Sequence, residues 1–247
     1  HAPAIASANW LASAAWLGAR LDEAILVDIG STTTDLIPIR AGRPATASVS
    51  DSDRLGRGEL LYSGVVRTPV CALAATAPFR GRWQTLCAEW FATAADVHRL
   101  LGDLPADADQ QPSADGRGKG MAESRARLAR MLGCDAADAT PEEWRQVAAH
   151  LARHQLARIH DGLDQVLSAV PLAAAAPLVG AGVGRFLAAR LARIAGRAYR
   201  DFATLCPAPP AASDWIADCA PAVAVGLLAA RRYSQASGDS LGLGGFP

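Results

Sequence analysis

Two apolar runs separated by a short polar turn, between Ile25 and Ile39, constrain the fold of this chain more than any other feature. Both runs are rich in β-branched residues, a pattern typical of two strands joined by a turn. The first run, Ile25–Ile29, is apolar on both faces except at Asp28, which predicts a strand buried inside a sheet. A carboxylate at the end of such a strand needs a cation, a hydrogen-bond donor or water.

The turn between the two runs carries an unusual concentration of hydroxyl groups. Gly30 allows a sharp bend and close approach of a ligand, and the hydroxyls follow on Ser31, Thr32, Thr33 and Thr34. This set suits phosphate oxygens, with Asp28 and Asp35 as candidate catalytic residues and Mg²⁺ ligands. The alternative is an ordinary polar hairpin tip, since these are common turn residues. The residues alone leave both interpretations open.

A second glycine-rich segment follows another short apolar run at Pro177–Val179. It predicts a strand, a loop and then a helix from Arg185, an arrangement that can bind phosphate at a helix N-terminus. The spacing does not fit the dinucleotide-binding fingerprint, whose third glycine would fall at Arg185. The candidate phosphate-binding residues of this loop are Gly180, Gly182 and Gly184.

A charged connection with several glycines leads away from the hairpin, over residues 51–69. Loops of this composition often carry binding groups, and equally often they are only solvated. The candidate substrate-binding residues here are Glu59, Tyr62, Arg67 and Thr68.

The remaining segments predict an alternation of helices and strands. Helices are expected over residues 4–18, from Thr93, over 121–132, from Thr140 to about 169, from Arg185 to about 196 and over 220–233, the last capped by Asp218. Further extended segments are expected over 45–50, 83–91 and 199–205, and a long loop over 102–120 could close over a ligand. Residues 234–247 are rich in serine and glycine and predict a disordered tail.

The composition of the chain limits the classes of function that it can have. The chain has 247 residues, about half of them apolar, which allows one large domain or two small ones. The net charge is zero, which gives no reason to expect nucleic acid or an anionic membrane as a partner. Five cysteines without zinc-site spacing predict a reduced, cytoplasmic setting with mostly buried thiols. No apolar run reaches the roughly 18 residues of a membrane helix. The oligomeric state stays open.

Several segments resemble the hydantoinase/oxoprolinase superfamily, and within it the proteins linked to tetrahydromethanopterin-dependent one-carbon transfer. The similar segments are Ala8–Ala12, Val27–Asp35, Asp53–Leu55, Gly58–Pro69, Asp115–Arg117 and Arg127–Met131. The resemblance implies an α/β fold, a ribonuclease-H-like domain of the actin-like ATPase type, with a mixed sheet flanked by helices.

The same resemblance implies a transferase of methanofuran-type cofactor synthesis. Such an enzyme joins a furan-methyl diphosphate to a phenolic acceptor of the tyramine type and releases diphosphate. Gly30 to Thr34 would bind the diphosphate, a small phosphorylated substrate, and Asp28 or Asp35 would bind Mg²⁺. Two alternatives are an amide or hydantoin hydrolase that consumes ATP and a non-catalytic nucleotide-binding module.

One departure from the family pattern concerns the start of the chain. Family members begin with another strand and an Asp-x-Gly-Gly loop, for which this sequence has no counterpart. The expectation is therefore a chain that lacks an N-terminal half-domain and is an incomplete catalytic unit: residues 1–23 as a helical linker, 24–233 as the ribonuclease-H-like domain with a helical insertion near 93–169, and 234–247 as the tail.

Overall fold

The computed structural model of the protein describes residues 9–48, 50–207 and 209–237. The strands are β1 (Ala24–Ile29), β2 (Thr34–Arg40), β3 (Arg43–Pro44), β4 (Leu60–Leu61), β5 (Thr76–Phe79), β6 (Arg82–Thr85), β7 (Leu178–Ala181) and β8 (Tyr199–Asp201). The helices are α1 (Asn9–Gly18), α2 (Asp51–Gly56), α3 (Ala94–Leu101), α4 (Met121–Met131), α5 (Pro141–Ala169), α6 (Arg185–Ile194), α7 (Ser213–Asp218) and α8 (Ala220–Ser237). In this part of the chain no helix combines the length and the apolar character that crossing a bilayer requires.

The main sheet has the strand order β3-β2-β1-β7-β8, and β4 pairs with the other end of β2. The β1–β2 hairpin and the β2–β3 pair are antiparallel, whereas β1–β7 and β7–β8 are parallel. The prediction of a mixed sheet flanked by helices is therefore confirmed.

The central strand β1 is buried along its whole length because helices cover both faces of the sheet. Ile25, Val27 and Ile29 pack into one apolar cluster with residues of α5 and α6. Ala24 and Leu26, on the opposite face, pack into another cluster with residues of α1 and α8. Two covered faces explain why the strand shows a continuous apolar run and no alternation.

A third apolar cluster lies beside the main sheet and joins α3, α4 and the first half of α5 to the β5–β6 hairpin. Trp144 of α5 is fully buried there and stacks on Phe79 with ring centroids 5.0 Å apart. Thr93 and Thr140 each form a capping box at the start of a predicted helix. The helices α3 and α4 and the first half of α5 thus share an apolar cluster separate from the two at the main sheet.

Predictions for three strands are wrong in length. Residues 45–48 form no ladder, since β3 ends at Pro44, and β6 ends at Thr85. The last strand ends at Asp201, where a carboxylate oxygen accepts the N–H of Ala203 and starts a 3₁₀ turn over Phe202–Leu205. Local capping overrides the apolar run that follows.

Near the end of the chain, two further expectations need correction. Asp218 is the last residue of α7 and forms an ion pair with Arg185, so it does not cap the closing helix. That helix extends to Ser237, beyond the predicted end at Tyr233, and 238–247 of the predicted tail lie outside the described residues. Of the predicted helix over 4–18, residues 4–8 also lie outside them.

The cysteines are less buried than the sequence predicts. Cys219 is exposed, and Cys71, Cys87, Cys134 and Cys206 are only partly buried. All five are free thiols.

A buried ion pair joins α3 to α4 and generates a stability prediction. The Arg127 guanidinium donates to Asp96 Oδ1 at 2.7 and 2.9 Å, and both side chains are nearly inaccessible to solvent. Asp96→Ala should lower the free energy of unfolding by about 3 kcal/mol, the lower end of the range for breaking a buried pair, because Arg127 keeps Asp115 as a partner. Urea denaturation measures the loss.

The matched control is Glu142→Ala, which removes an exposed pair with Arg145. It should change stability by less than about 0.5 kcal/mol. Equal losses in the two variants would contradict a structural role for the buried pair.

Candidate functional site

The hydroxyl-rich turn lies between β1 and β2 and is fixed by a neighbouring segment, Gly64–Arg67. The Gly64 N–H donates to Thr32 O at 3.0 Å, Val65 N–H to Gly30 O at 3.1 Å and Val66 N–H to Ser31 O at 3.1 Å. A Cβ on Gly64 would overlap the backbone of Ser31 and Thr32, so this close approach requires glycine. The carbonyls of the turn therefore bond to protein.

A cavity of about 360 Å³ opens beside this turn. The hairpin contributes Asp28, Gly30, Ser31, Thr33 and Asp35 to its wall. The remaining lining residues are Asn9, Val66, Ala108, Gln110, Gln111, Gly182, Val183, Asp218 and Pro221. The cavity lies at the carboxyl ends of the parallel strands β1 and β7, the usual place for a ligand in an open α/β sheet.

The three glycines predicted to bind phosphate, in and after β7, have different roles. Gly182 lines the cavity with φ of 78°, and a Cβ there would come within 2.6 Å of Asp28 Oδ1. Gly184 donates its N–H to Ile29 O at 2.8 Å and leaves room for the Ile29 side chain. Gly180 lies under the ring of Tyr199. Only Gly182 of the three lies at the cavity, and the other two allow close packing around it.

The two predicted carboxylates lie opposite each other across the hairpin, since Asp28 and Asp35 are partners in the β1–β2 register. Burial, together with the smaller effect of the nearby Asp35 charge, raises the pKa of Asp28 to about 7. Burial also raises the pKa of Asp35, an effect that its hydrogen bond and ion pair with Arg54 oppose. The carboxylates therefore differ, because among the residues that the structure describes only Asp35 of the two has a cation at contact distance.

Sequence reasoning did not assign Arg54 to the site. Its Nη2 atom donates to Asp35 Oδ1 at 2.5 Å and to Glu59 O at 3.2 Å, and its guanidinium lies 4.4 Å from the centroid of Trp10. The side chain is almost completely buried. Arg54 lies in α2, 19 residues beyond Asp35, so no local pattern indicated the pair.

The predicted substrate-binding residues do not gather around the cavity. Glu59 is buried and accepts from Thr46 Oγ1 at 2.6 and 2.8 Å, and Thr68 is buried and donates to Gly64 O at 2.9 Å. Tyr62 is exposed. Arg67 is exposed and its Nη1 lies 3.4 Å from Thr32 Oγ1, so this is the predicted side chain that reaches the turn.

The four hydroxyls of the turn also differ in what they contact. Thr34 is buried and donates to Ser63 O at 2.8 Å, so its hydroxyl is already engaged with the protein. Thr32 Oγ1 lies 3.4 Å from Ser31 Oγ. Ser31 and Thr33 line the cavity directly. These two hydroxyls and the Asp28 carboxylate are the polar groups that the hairpin offers to a ligand.

The pKa of Asp28 generates a prediction with a defined sign. Because burial raises this pKa from 3.8 to about 7, the folded state binds the proton more tightly than the unfolded state. The stability that protonation provides is full below about pH 4 and is lost as the pH rises through about 7, with a slope of roughly 1.4 kcal/mol per pH unit. Asp28→Asn removes this slope.

Urea denaturation of the wild type and Asp28→Asn between pH 4 and 8 measures the difference, in which the titrating groups that do not interact with Asp28 cancel. Asp28→Asn should gain stability relative to the wild type as the pH rises. Parallel stability curves would show that Asp28 titrates normally.

Comparison with known proteins identifies the family. Residues 2–200 match the family model described as Hydantoinase/oxoprolinase. A protein of Methanocaldococcus jannaschii named (4-{4-[2-(gamma-L-glutamylamino)ethyl]phenoxymethyl}furan-2-yl)methanamine synthase is 35% identical over 163 residues, 66% of this chain and 49% of that protein. A protein of Methanococcus vannielii with the same name is 35% identical over 111 residues, 45% of this chain and 50% of that protein.

The chain spans about half the length of the curated relatives it matches. The family match itself extends over most of the chain, and it includes the hairpin and the glycine loop that line the cavity. The resemblance noted in the sequence is confirmed: the chain belongs to the hydantoinase/oxoprolinase family.

Proposed function

We propose that this chain binds the diphosphate group of a furan-methyl diphosphate and contributes to its transfer onto a phenol in methanofuran-type cofactor synthesis. The observation that carries the proposal is the cavity at the β1–β2 turn, where the hydroxyl-bearing residues Ser31 and Thr33 lie in the wall beside a buried carboxylate. The name of both relatives describes a product with a phenoxymethyl group on a furan. Transfer of a furan-methyl group onto a phenol would form an aryl ether of that type.

The topology supports a phosphate-binding role for the hairpin. The order β3-β2-β1-β7-β8, with β2 antiparallel to its neighbours, is the arrangement expected of a ribonuclease-H-like domain of the actin-like ATPase type. In such domains we expect the first hairpin and the loop after the next parallel strand to face phosphate together. Here both segments line one cavity.

The residues present fit a Mg²⁺ ion. Mg²⁺ in phosphate sites is usually bound by one or two carboxylates, several waters and the substrate phosphates. No group of three or more acidic, histidine or cysteine side chains suited to a metal occurs within the described ranges, so substrate oxygens would complete the coordination. Asp28 supplies a carboxylate without a cation at contact distance, whereas Asp35 already has Arg54. Bound at Asp28, Mg²⁺ would neutralise charge on the departing diphosphate.

Side chains of the protein would stabilise the same leaving group, the diphosphate. Ser31 and Thr33 would donate hydrogen bonds to diphosphate oxygens, and Arg67, beside Thr32, would add a positive charge near them. In the reaction the bond between the furan methylene carbon and a diphosphate oxygen breaks, and a bond from that carbon to the phenol oxygen forms. The phenol proton is released. Donors fixed before the reaction lower the barrier because charge grows on the diphosphate.

A second candidate function is ATP-dependent opening of an amide or hydantoin ring, which the description of the matching family favours. The same cavity would then bind the phosphates of ATP. The two functions differ in what is consumed, since the transfer releases diphosphate and needs no ATP.

Diphosphate binding should depend on both the cation and the hydroxyls. Without Mg²⁺ the Asp28 and Asp35 carboxylates repel an anion, so we expect diphosphate to bind weakly alone and markedly better with Mg²⁺. Replacing the cavity hydroxyls in Ser31→Ala/Thr33→Val should weaken Mg²⁺-dependent binding at least about tenfold, because each removes a charge-assisted hydrogen bond. Calorimetric titration measures both effects.

The control Ser168→Ala removes a hydroxyl at the end of α5 that bonds to Gln165 O and does not line the cavity. It should leave diphosphate affinity unchanged. Binding that ignores Mg²⁺, or equal affinity in the wild type and the double variant, would mean that the turn is only a hairpin tip.

Turnover distinguishes the two candidate functions. Incubation of the full-length enzyme with a furan-methyl diphosphate, γ-glutamyltyramine and Mg²⁺ should release diphosphate and form the aryl ether, detected by mass spectrometry. Asp28→Asn should lower this rate at least about 100-fold, the scale of losing one strong charge stabiliser. Release of ADP that depends on a hydantoin or on 5-oxoproline, without ether formation, would favour the second function.

A further inference from the structure

A second cavity of about 310 Å³ adjoins the first and has no role in the diphosphate site described above. Val66 and Gln111 line both cavities, so the two share a wall. Arg67 lines the second cavity and also reaches Thr32 in the turn beside the first. A molecule in the second cavity would therefore lie next to one bound at the turn.

The wall of the second cavity offers an aromatic surface. Trp90 lies in the segment before α3, lines the cavity and is 54% exposed. Ala95 and Pro112 add apolar surface to the same cavity. A large indole left open to solvent beside a concave surface is suited to stack on a flat ring.

Most charged side chains around the second cavity form ion pairs with one another. Arg99 Nη2 lies 2.6 Å from Asp109, and Arg127 contacts Asp96 and Asp115. Arg67 differs, because it lies within 4 Å of no carboxylate among residues 9–48, 50–207 and 209–237. A guanidinium without an acidic partner, placed where the cavities meet, is suited to a hydroxyl or oxyanion at that point.

We propose that the second cavity binds the aromatic acceptor, a phenol whose ring stacks on Trp90 and whose oxygen points to Arg67 and the diphosphate. This inference rests on the proposed function, since it names the site of the second substrate. The arrangement brings the phenol oxygen beside the carbon that carries the diphosphate. Trp90 would then decide acceptor affinity, and Arg67 would distinguish a phenol from the same ring without its hydroxyl.

Calorimetry with γ-glutamyltyramine as the probe, in the presence of Mg²⁺ and diphosphate, tests the inference. Trp90→Ala should weaken γ-glutamyltyramine binding about tenfold, the upper range for an aromatic pair, and Trp90→Phe should retain most of the affinity. The matched control is Trp83→Ala, which removes a tryptophan of β6 that is 68% exposed and does not line the cavity. It should change the affinity less than about twofold.

A comparison of two ligands tests the contact between the phenol hydroxyl and Arg67. The wild type should bind γ-glutamyltyramine about tenfold more tightly than γ-glutamylphenethylamine, which lacks the phenol oxygen, because a hydrogen bond to a charged group is lost. Arg67→Gln should abolish that preference while Trp90→Ala retains it. A preference that persists in Arg67→Gln would contradict the placement of the phenol oxygen.

The outcomes separate this inference from the proposed function. Unchanged acceptor affinity in Trp90→Ala, or no acceptor binding to a wild type that binds diphosphate, would overturn the acceptor cavity and leave the diphosphate site intact. Acceptor binding that depends on Trp90, with no diphosphate binding and no ether formed, would overturn the proposed function and leave the acceptor cavity standing. Diphosphate affinity should be the same in Trp90→Ala and the wild type.

Discussion

The structure around the cavity depends on two carboxylates that face each other across a buried hairpin, only one of which has a cation at contact distance. Asp28 and Asp35 are partners in the β1–β2 register, and Arg54 contacts Asp35 at 2.5 Å. Arg54 also accounts for the position of α2, because its guanidinium reaches the Glu59 carbonyl and packs on Trp10 of α1. Arg54 compensates the charge of Asp35 but leaves Asp28 costly to ionise, so Asp28 is the group that responds to a bound cation.

The hairpin is fixed in turn by groups that do not bind a ligand. Gly64 lies against Ser31 and Thr32, and its carbonyl accepts hydrogen bonds from Thr68 Oγ1 and from Gln155 Nε2, both at 2.9 Å. Gln155 lies in α5 and bonds to the fully buried His98 of α3 at 2.7 Å. A chain of buried hydrogen bonds thus joins the turn to the helical core. Hydrogen bonds are strong in a buried environment, so this chain holds the turn against α3 and α5.

Sequence reasoning was successful where the determining contacts are local. The hairpin, the glycine loop and the capping boxes of α3 and α5 each depend on residues within a few positions of one another, and the structure confirms these elements. The lengths of β3, β6 and β8 were wrong because apolar runs continue past the points where pairing ends.

The candidate site was only partly predictable for a different reason. The sequence shows that Glu59, Thr68 and Thr34 carry polar groups. It does not show that all three form internal hydrogen bonds, because their partners depend on the fold. The same limit applies to Arg54 and Gln111, whose places in the site come from contacts between distant segments. A list of polar residues near a turn therefore overstates what is free to bind.

The loop over residues 102–120 shows how charge pairs far from the hairpin shape the site. Its sequence predicts a long polar connection, yet Arg99 and Lys119 pair with Asp109, and Arg127 pairs with Asp115. Asp109 lies two residues before Gln111, which lines both cavities. Because Arg99 and Arg127 project from helices with their own core, they fix the loop relative to a rigid base. Ion pairs whose side chains line the second cavity therefore hold the loop that contributes Gln111 to both cavities.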